Sequence, residues 1–287
     1  MSVKSRIGEL NARLATKLTA RGVTASEDET TTALINKVDD IPEGGGIDWS
    51  QWTDWQYFSC NNNRNELVAK LKYSDTANGT NFNNMFSSCS ALTTIPQLDT
   101  SKGNSFNNMF YYCSNLTTIP QLDTSSGTNF SSMFRNCNNL TTIPQLDTSK
   151  GKTFNNMFDT CLHLTTIPQL DTSSGTNFSS MFSYCRALTS ISLLNMSSMT
   201  SIAWSSMFQN CTALENVTFE GTIPVRGNMT VFSSCPNLTV ESLMSFINAL
   251  TNMSSSSTYT ITIGSTNLAK LTEEQIQIAT DKRITLQ

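Results

Sequence analysis

Histidine is almost missing from this 287-residue chain, with His163 as its single example, and charged residues make up only 14% of it. Both shortages bear on chemistry. There is no G-x-S-x-G, no H-E-x-x-H and no phosphate-cradling glycine loop, and no two carboxylates are set apart as an acid and base pair. The chain therefore reads as non-enzymatic, with no catalytic residues, no cofactor and no metal. A net charge of -4 argues against nucleic acid as a partner. No run approaches the roughly 18 consecutive apolar residues of a membrane span, so no membrane insertion is expected. The opening Met1-Ser2-Val3-Lys4-Ser5-Arg6-Ile7 holds no apolar core of a secretory signal.

Hydrophobic residues are also scarce, at 38%. What fills the chain instead is Ser, Thr and Asn arranged in a strict repeat. The stretch from Phe82 to Thr100 returns almost verbatim at Phe106, Phe130, Phe154 and Phe178, a period of 24 residues, with looser copies at Trp204 and around Met229. Cysteine marks the phase at Cys89, Cys113, Cys137, Cys161, Cys185, Cys211 and Cys235. A polar chain whose apolar positions recur in phase is folded and not disordered. A 24-residue period is too short for a propeller blade or a helical hairpin and suits one coil of a leucine-rich-repeat solenoid.

Within a coil the inward set reads Phe82, Met85, Phe86, Cys89, Leu92, Ile95 and Leu98. The Phe/Met end is expected to form a helical turn, and Leu-Thr-Thr-Ile-Pro-Gln-Leu a short extended segment. Pro96, Pro120, Pro144 and Pro168 cannot donate to a ladder, which keeps that segment short or bent. Gly103, Gly127, Gly151 and Gly175 are placed at the turns. Stacking in register would line up columns of Asp (Asp99, Asp123, Asp147, Asp171), Thr, Gln and Cys. The Asp column reads as turn capping, with Ca2+ binding as the alternative. The cysteines lie too far apart for a zinc cluster and read as free, buried, small apolar residues, with disulfides as the alternative.

Residues 1–46 are different in kind. They concentrate charge, and Ile7, Leu10, Leu14 and Leu18 recur at helical spacing, followed by a second stripe through Leu34 and Val38. Two short amphipathic helices cannot bury their stripes alone, so these six residues are assigned to attachment or homo-oligomerisation. Residues 47–78 hold Trp52, Trp55, Tyr57 and Phe58, which read as a cap over the first coil or as a sugar-stacking platform. The repeat runs through 79–240. Residues 241–287 form a mixed α/β C-terminal cap: a helix through Leu243, Phe246, Ile247 and Leu250, a strand at Tyr259–Ile263, and a capping box at Thr272–Gln275.

The positions flanking each cysteine change from coil to coil while Thr93, Thr94 and Gln97 and their copies do not. Tyr111, Tyr112, Asn115, Arg135, Asn136, Asn139, Asp159, His163, Tyr184 and Arg186 are of the types that recognition surfaces favour, and they form the candidate ligand-binding set.

The motif Met-Phe-x-x-Cys-x-x-Leu-Thr-x-Ile, followed by Asp-Thr-Ser, resembles the BspA-like family of bacterial leucine-rich-repeat surface proteins over about residues 67–240. Gly264–Gln275 resembles the cap such repeats carry. That resemblance implies an α/β repeat fold, a right-handed solenoid of about seven coils, and binding to surfaces in place of catalysis. The segment Leu18–Ser26, ending in Leu34-Ile35-Asn36-Lys37-Val38, is similar to leader helices of phage and prophage structural proteins. Together these imply a virion fibre or receptor-binding appendage. It would contact other virion proteins through its N-terminal helices and a host glycan or protein through its solenoid. A bacterial cell-surface adhesin is the alternative.

Overall fold

A computed structural model describes residues 11–16, 18–19, 25, 71, 73–199, 204–253 and 257–287. Successive 24-residue units stack in parallel register. Asn81, Ser105, Asn129, Thr153 and Asn177 are joined one to the next by parallel bridges. Inside the stack lie two columns of phenylalanine, each ring stacked 5.4–5.7 Å from the equivalent ring of the next unit with nearly parallel planes, from Phe82 to Phe178 and from Phe86 to Phe182. The predicted inward set Phe82, Met85, Phe86, Cys89, Leu92, Ile95 and Leu98 is buried, and so are its copies apart from the partly buried Ile167.

The Phe/Met end is not helical. It is a run of turns in which backbone N–H groups alternate between two uses. Met85, Ser87 and Cys89 donate back to Phe82, Asn84 and Phe86, whereas Phe82, Asn84, Phe86 and Ser88 donate to Ser105, Asn107, Met109 and Tyr111 of the next unit. An α-helix keeps its bonds to itself, but a stacked unit must give half of them to its neighbour. Turns of this kind need positive φ at their third residue. Asn84, Asn108, Ser132, Asn156, Ser180 and Ser206 supply one such column at φ 54–56°, and Ser88, Tyr112, Asn136, Thr160, Tyr184 and Asn210 a second at φ 59–63°.

The repeat glycines are needed for space, not for a left-handed backbone. A Cβ on Gly175 would overlap the Phe178 ring and sit 2.9 Å from the Thr172 carbonyl oxygen. The extended segment becomes a strand only after proline disappears. Ser192 stands at the phase of Pro168, and there β1 (Ser190–Asn195) pairs in parallel with β2 (Asn216–Glu220), with a bulge between Ile191 and Leu194.

The stack ends in a cap. Helix α1 (Val240–Ala249) buries Leu243, Phe246 and Ile247. Then β3 (Met229–Thr230), β4 (Tyr259–Thr262) and β5 (Ile284–Leu286) form a parallel sheet in that order, so the last unit of the repeat is woven into the cap. A short helix α2 (Ser265–Leu268) carries buried Asn267, whose amide donates to the carbonyls of Phe232, Cys235 and Ile263. Helix α3 (Glu273–Asp281) opens on the expected capping box: Gln275 N donates to Thr272 Oγ1, and Thr272 N to Gln275 Oε1. Lys282 Nζ donates to the Asn248 and Leu250 carbonyls at the end of α1, and burial lowers its pKa.

Near the N-terminus residues 11–16 and 18–19 are helical, and Leu14 and Leu18 are buried within the chain. Ile7, Leu10, Leu34 and Val38 lie outside the described residues, as do the aromatics at 52–58 and Cys60.

Candidate functional site

Two faces of the stack bear on binding, and the fold treats them differently. The first carries the unchanging Gln, Asp, Thr and Ser columns. It forms a groove of about 1060 Å³ lined by Gln121, Asp123, Gln145, Asp147, Gln169 and Asp171 among others. Sequence reasoning did not single this face out as a concavity, because a groove is a property of how units stack.

Its polar groups are already engaged. Gln97, Gln121 and Gln145 each donate their side-chain amide to the backbone carbonyl of the next glutamine at 2.5–2.6 Å, and Gln169 donates to Leu193. Thr100, Thr124, Thr148 and Thr172, each 1% exposed, donate to the carbonyl of the residue before their counterpart in the next unit. In every Asp-Thr-Ser turn the Asp Oδ1 accepts from both the N–H and the hydroxyl of the Ser two residues on. The Ser149 hydroxyl and N–H, helped by Lys150, hold the Asp147 carboxyl below its usual range. The Asp column thus caps turns. Among the described residues no three His, Cys, Asp or Glu side chains come together as a metal would require.

The cysteines complete this internal ladder. Cys113, Cys137, Cys161, Cys185, Cys211 and Cys235 are free thiols, each donating to the carbonyl of a Phe in the preceding unit at 2.9–3.1 Å. Cys89 departs from the free-thiol reading: it is disulfide-bonded.

The second face holds the candidate ligand-binding set. Tyr112, Asn115, Asn139, His163 and Arg186 are exposed, and Tyr111, Arg135, Asn136 and Tyr184 are half-buried. Three of the set stand in one column two residues before cysteine. The Arg135 guanidinium lies 5.8 Å from the Tyr111 ring centre, and its Nε is 2.9 Å from Asp159 Oδ2. Asp159 is 7% exposed, so it orients Arg135 and is not itself open to a ligand. Tyr112 packs edge-on against Tyr111 at 4.5 Å, which makes a four-residue patch across three units. Asn139 donates to Asn115 Oδ1, His163 Nδ1 lies 2.8 Å from the Asn138 carbonyl, and Arg186 lies over Tyr184 at 5.6 Å. Tyr184 and Arg186 lie one unit beyond His163.

The column through Tyr112 and Asn136 also explains part of the variability. Its φ suits Asn, while Tyr112, Thr160 and Tyr184 tolerate it at a cost. Thr160→Asn is expected to stabilise the protein by about 1 kcal/mol, since Asn visits this region with little penalty. Urea denaturation checks this, and an unchanged or lower midpoint would refute it.

Parallel 24-residue units closed by a helix–sheet cap define a repeat protein whose side chains are presented in columns. The chain belongs to the family described as "Mycoplasma protein of unknown function, DUF285", whose model matches residues 56–140 and again 115–221, together more than half of the sequence. No curated protein and no solved structure matches it.

Proposed function

We propose that this protein is a non-enzymatic adhesive module that binds a surface glycan or protein through the face carrying Tyr111, Tyr112, Arg135, Asn139 and Arg186. We take the stack to be a right-handed leucine-rich-repeat solenoid of the BspA-like type, with about seven coils. One observation carries the reading. The groove face is unchanging because its Gln, Thr, Asp and Ser groups hold the units together, whereas the face beside the cysteines displays the exposed Tyr112 and Arg186, whose side chains pack on neighbouring tyrosines of their own units. Pre-oriented Tyr and Arg lose little side-chain entropy on binding, which is where affinity concentrates.

The setting we infer first is a phage virion. Residues 1–46 would attach a homo-oligomeric fibre to other virion proteins, and residues 47–78 would cap the solenoid. The family match, to proteins described from a bacterium, favours the second setting, a bacterial cell surface.

Adhesion of the purified protein to host cells tests the function. The variant Tyr112→Asn/Asn139→Ala/Arg186→Ala should bind about tenfold or more weakly while its melting temperature stays level or rises, since Asn suits the positive φ at position 112. Undiminished binding would refute the choice of face. Mass spectrometry of purified virions beside the cell-envelope fraction tests the setting: stoichiometric peptides in particles support a virion protein, and abundance in the envelope alone supports the adhesin.

A further inference from the structure

Two columns run beside the cysteines, one standing two residues before each of them and one immediately before. Over three successive units the first reads Tyr111, Arg135 and Asp159, and the second Tyr112, Asn136 and Thr160. Elsewhere the first column holds only Ser87, Ser183, Gln209 and Ser233. An aromatic, a cation and a carboxylate therefore meet at one place in the stack, where equivalent positions of adjacent units lie about 4.8 Å apart.

Arg135 is the centre of this patch. Its Nε is closed to solvent and lies 2.9 Å from Asp159 Oδ2, and the guanidinium carbon is 5.8 Å from the Tyr111 ring centre. The two Nη groups are left over. Neither donates to a protein atom and neither is closed to solvent, in a side chain that is 38% exposed. Asp159, 7% exposed, thus fixes the guanidinium at Nε and leaves the Nη pair for a ligand. Tyr112 is 48% exposed, and because its ring stands 4.5 Å from that of Tyr111 it lies within about 10 Å of the guanidinium carbon. The Asn136 amide, one unit from Tyr112 in the same column, is also unpaired and open to solvent.

We propose that this patch binds a sugar that carries a carboxylate. The Nη–H groups of Arg135 donate to the two carboxylate oxygens, the C–H face of the ring lies on Tyr112, and Asn136 meets the hydroxyls. The assignment rests on the adhesive reading above and adds the class of sugar to it. A planar guanidinium held on one side by a buried carboxylate and on another by an aromatic ring is already oriented for a planar, bidentate partner. A neutral sugar leaves the Nη pair without a charged acceptor, and a doubly charged phosphate sets its second charge against Asp159.

The test is titration of the full chain, ¹⁵N-labelled, with N-acetylneuraminic acid and with glucuronic acid. The readout is the Arg135 Nε–H resonance, which burial protects from solvent exchange and which is identified by its loss in Arg135→Lys. At least one acid sugar should shift it saturably, while glucose and acetate at the same concentration leave it in place. Asn suits the φ of 59° at position 112, so Tyr112→Asn keeps the fold and should weaken binding about tenfold or more. In calorimetry Arg135→Gln/Asp159→Asn should lose the acid sugar altogether; it removes both charges, so neither is left buried alone. No saturable shift with either acid, an equal shift with glucose or acetate, or undiminished binding in either variant overturns the proposal. The two readings fail separately. If no acid sugar binds but the parent adheres to cells, the adhesive function stands and only the sugar class falls. If the parent does not adhere yet the Arg135 resonance responds, the sugar site stands without the adhesive role.

Discussion

Raising the pH from 8 to 10 is expected to unfold this protein. Cys113, Cys137, Cys161, Cys185 and Cys211 lie in one buried column. Burial pushes the Cys113 thiol up to about 12. Burial, followed by the charge of the neighbouring cysteine in the column, raises Cys137, Cys161 and Cys185 well above the ordinary value. For Cys211 the hydrogen bond with Cys235 comes first and burial second. In the unfolded chain a thiol titrates near about 8.5. The folded state keeps protons that the unfolded state releases. Stability is therefore complete below that value and is lost as pH climbs toward the folded ones. At pH 10 the loss is about 2 kcal/mol per thiol and about 10 kcal/mol for the five, as large as the whole stability of an ordinary domain. Circular-dichroism melts between pH 7 and pH 11 measure it. Cys137→Ala should lower the stability at neutral pH yet reduce the alkaline slope by about one proton's worth, about 1.4 kcal/mol per pH unit. A melting temperature that stays flat to pH 11 would show that these thiols ionise without opening the stack.

The second large effect is mechanical. Phe134 is fully buried, 5.4 Å from Phe110 and 5.6 Å from Phe158, with ring planes within 8° of each. Phe134→Ala removes a ring from the middle of the column, where neither neighbour can shift inward because each is bonded to its own units through the backbone. The cost should be about 3–5 kcal/mol, the transfer of the ring plus the void it leaves. In a one-dimensional stack each unit touches only its neighbours, so a weakened central interface also divides the cooperative unit. Urea denaturation is expected to show a lower midpoint and a broader or two-step transition. A single transition displaced by less than about 1 kcal/mol would mean that the neighbouring rings collapse into the gap.

Much of the fold is legible in the sequence because the period is exposed on every line of it. The inward residues, the cap helix through Phe246 and the Thr272 capping box follow from spacing and from local hydrogen-bonding rules. The apolar spacing of the Phe/Met end matches a helical turn and reads as one, but alternate N–H groups there bond to carbonyls 23 residues away, which makes it a run of turns. The candidate binding set was legible as variation, yet its internal order was not. Nothing local reveals that Arg135 is clasped between Tyr111 and Asp159, because each partner lies one unit away.

The sequence by itself determined the 24-residue period, the apolar columns, the proline-limited extended segment and the division between unchanging and variable positions. These depend on residue type and spacing alone, and repetition multiplies each weak local signal. The tertiary structure alone decided which unchanging groups serve as ladder, which tyrosines and threonine sit at positive φ, and that Cys89 leaves the thiol column. Each of those is set by what stands one unit above or below, and a contact across the stack has no local trace in the chain.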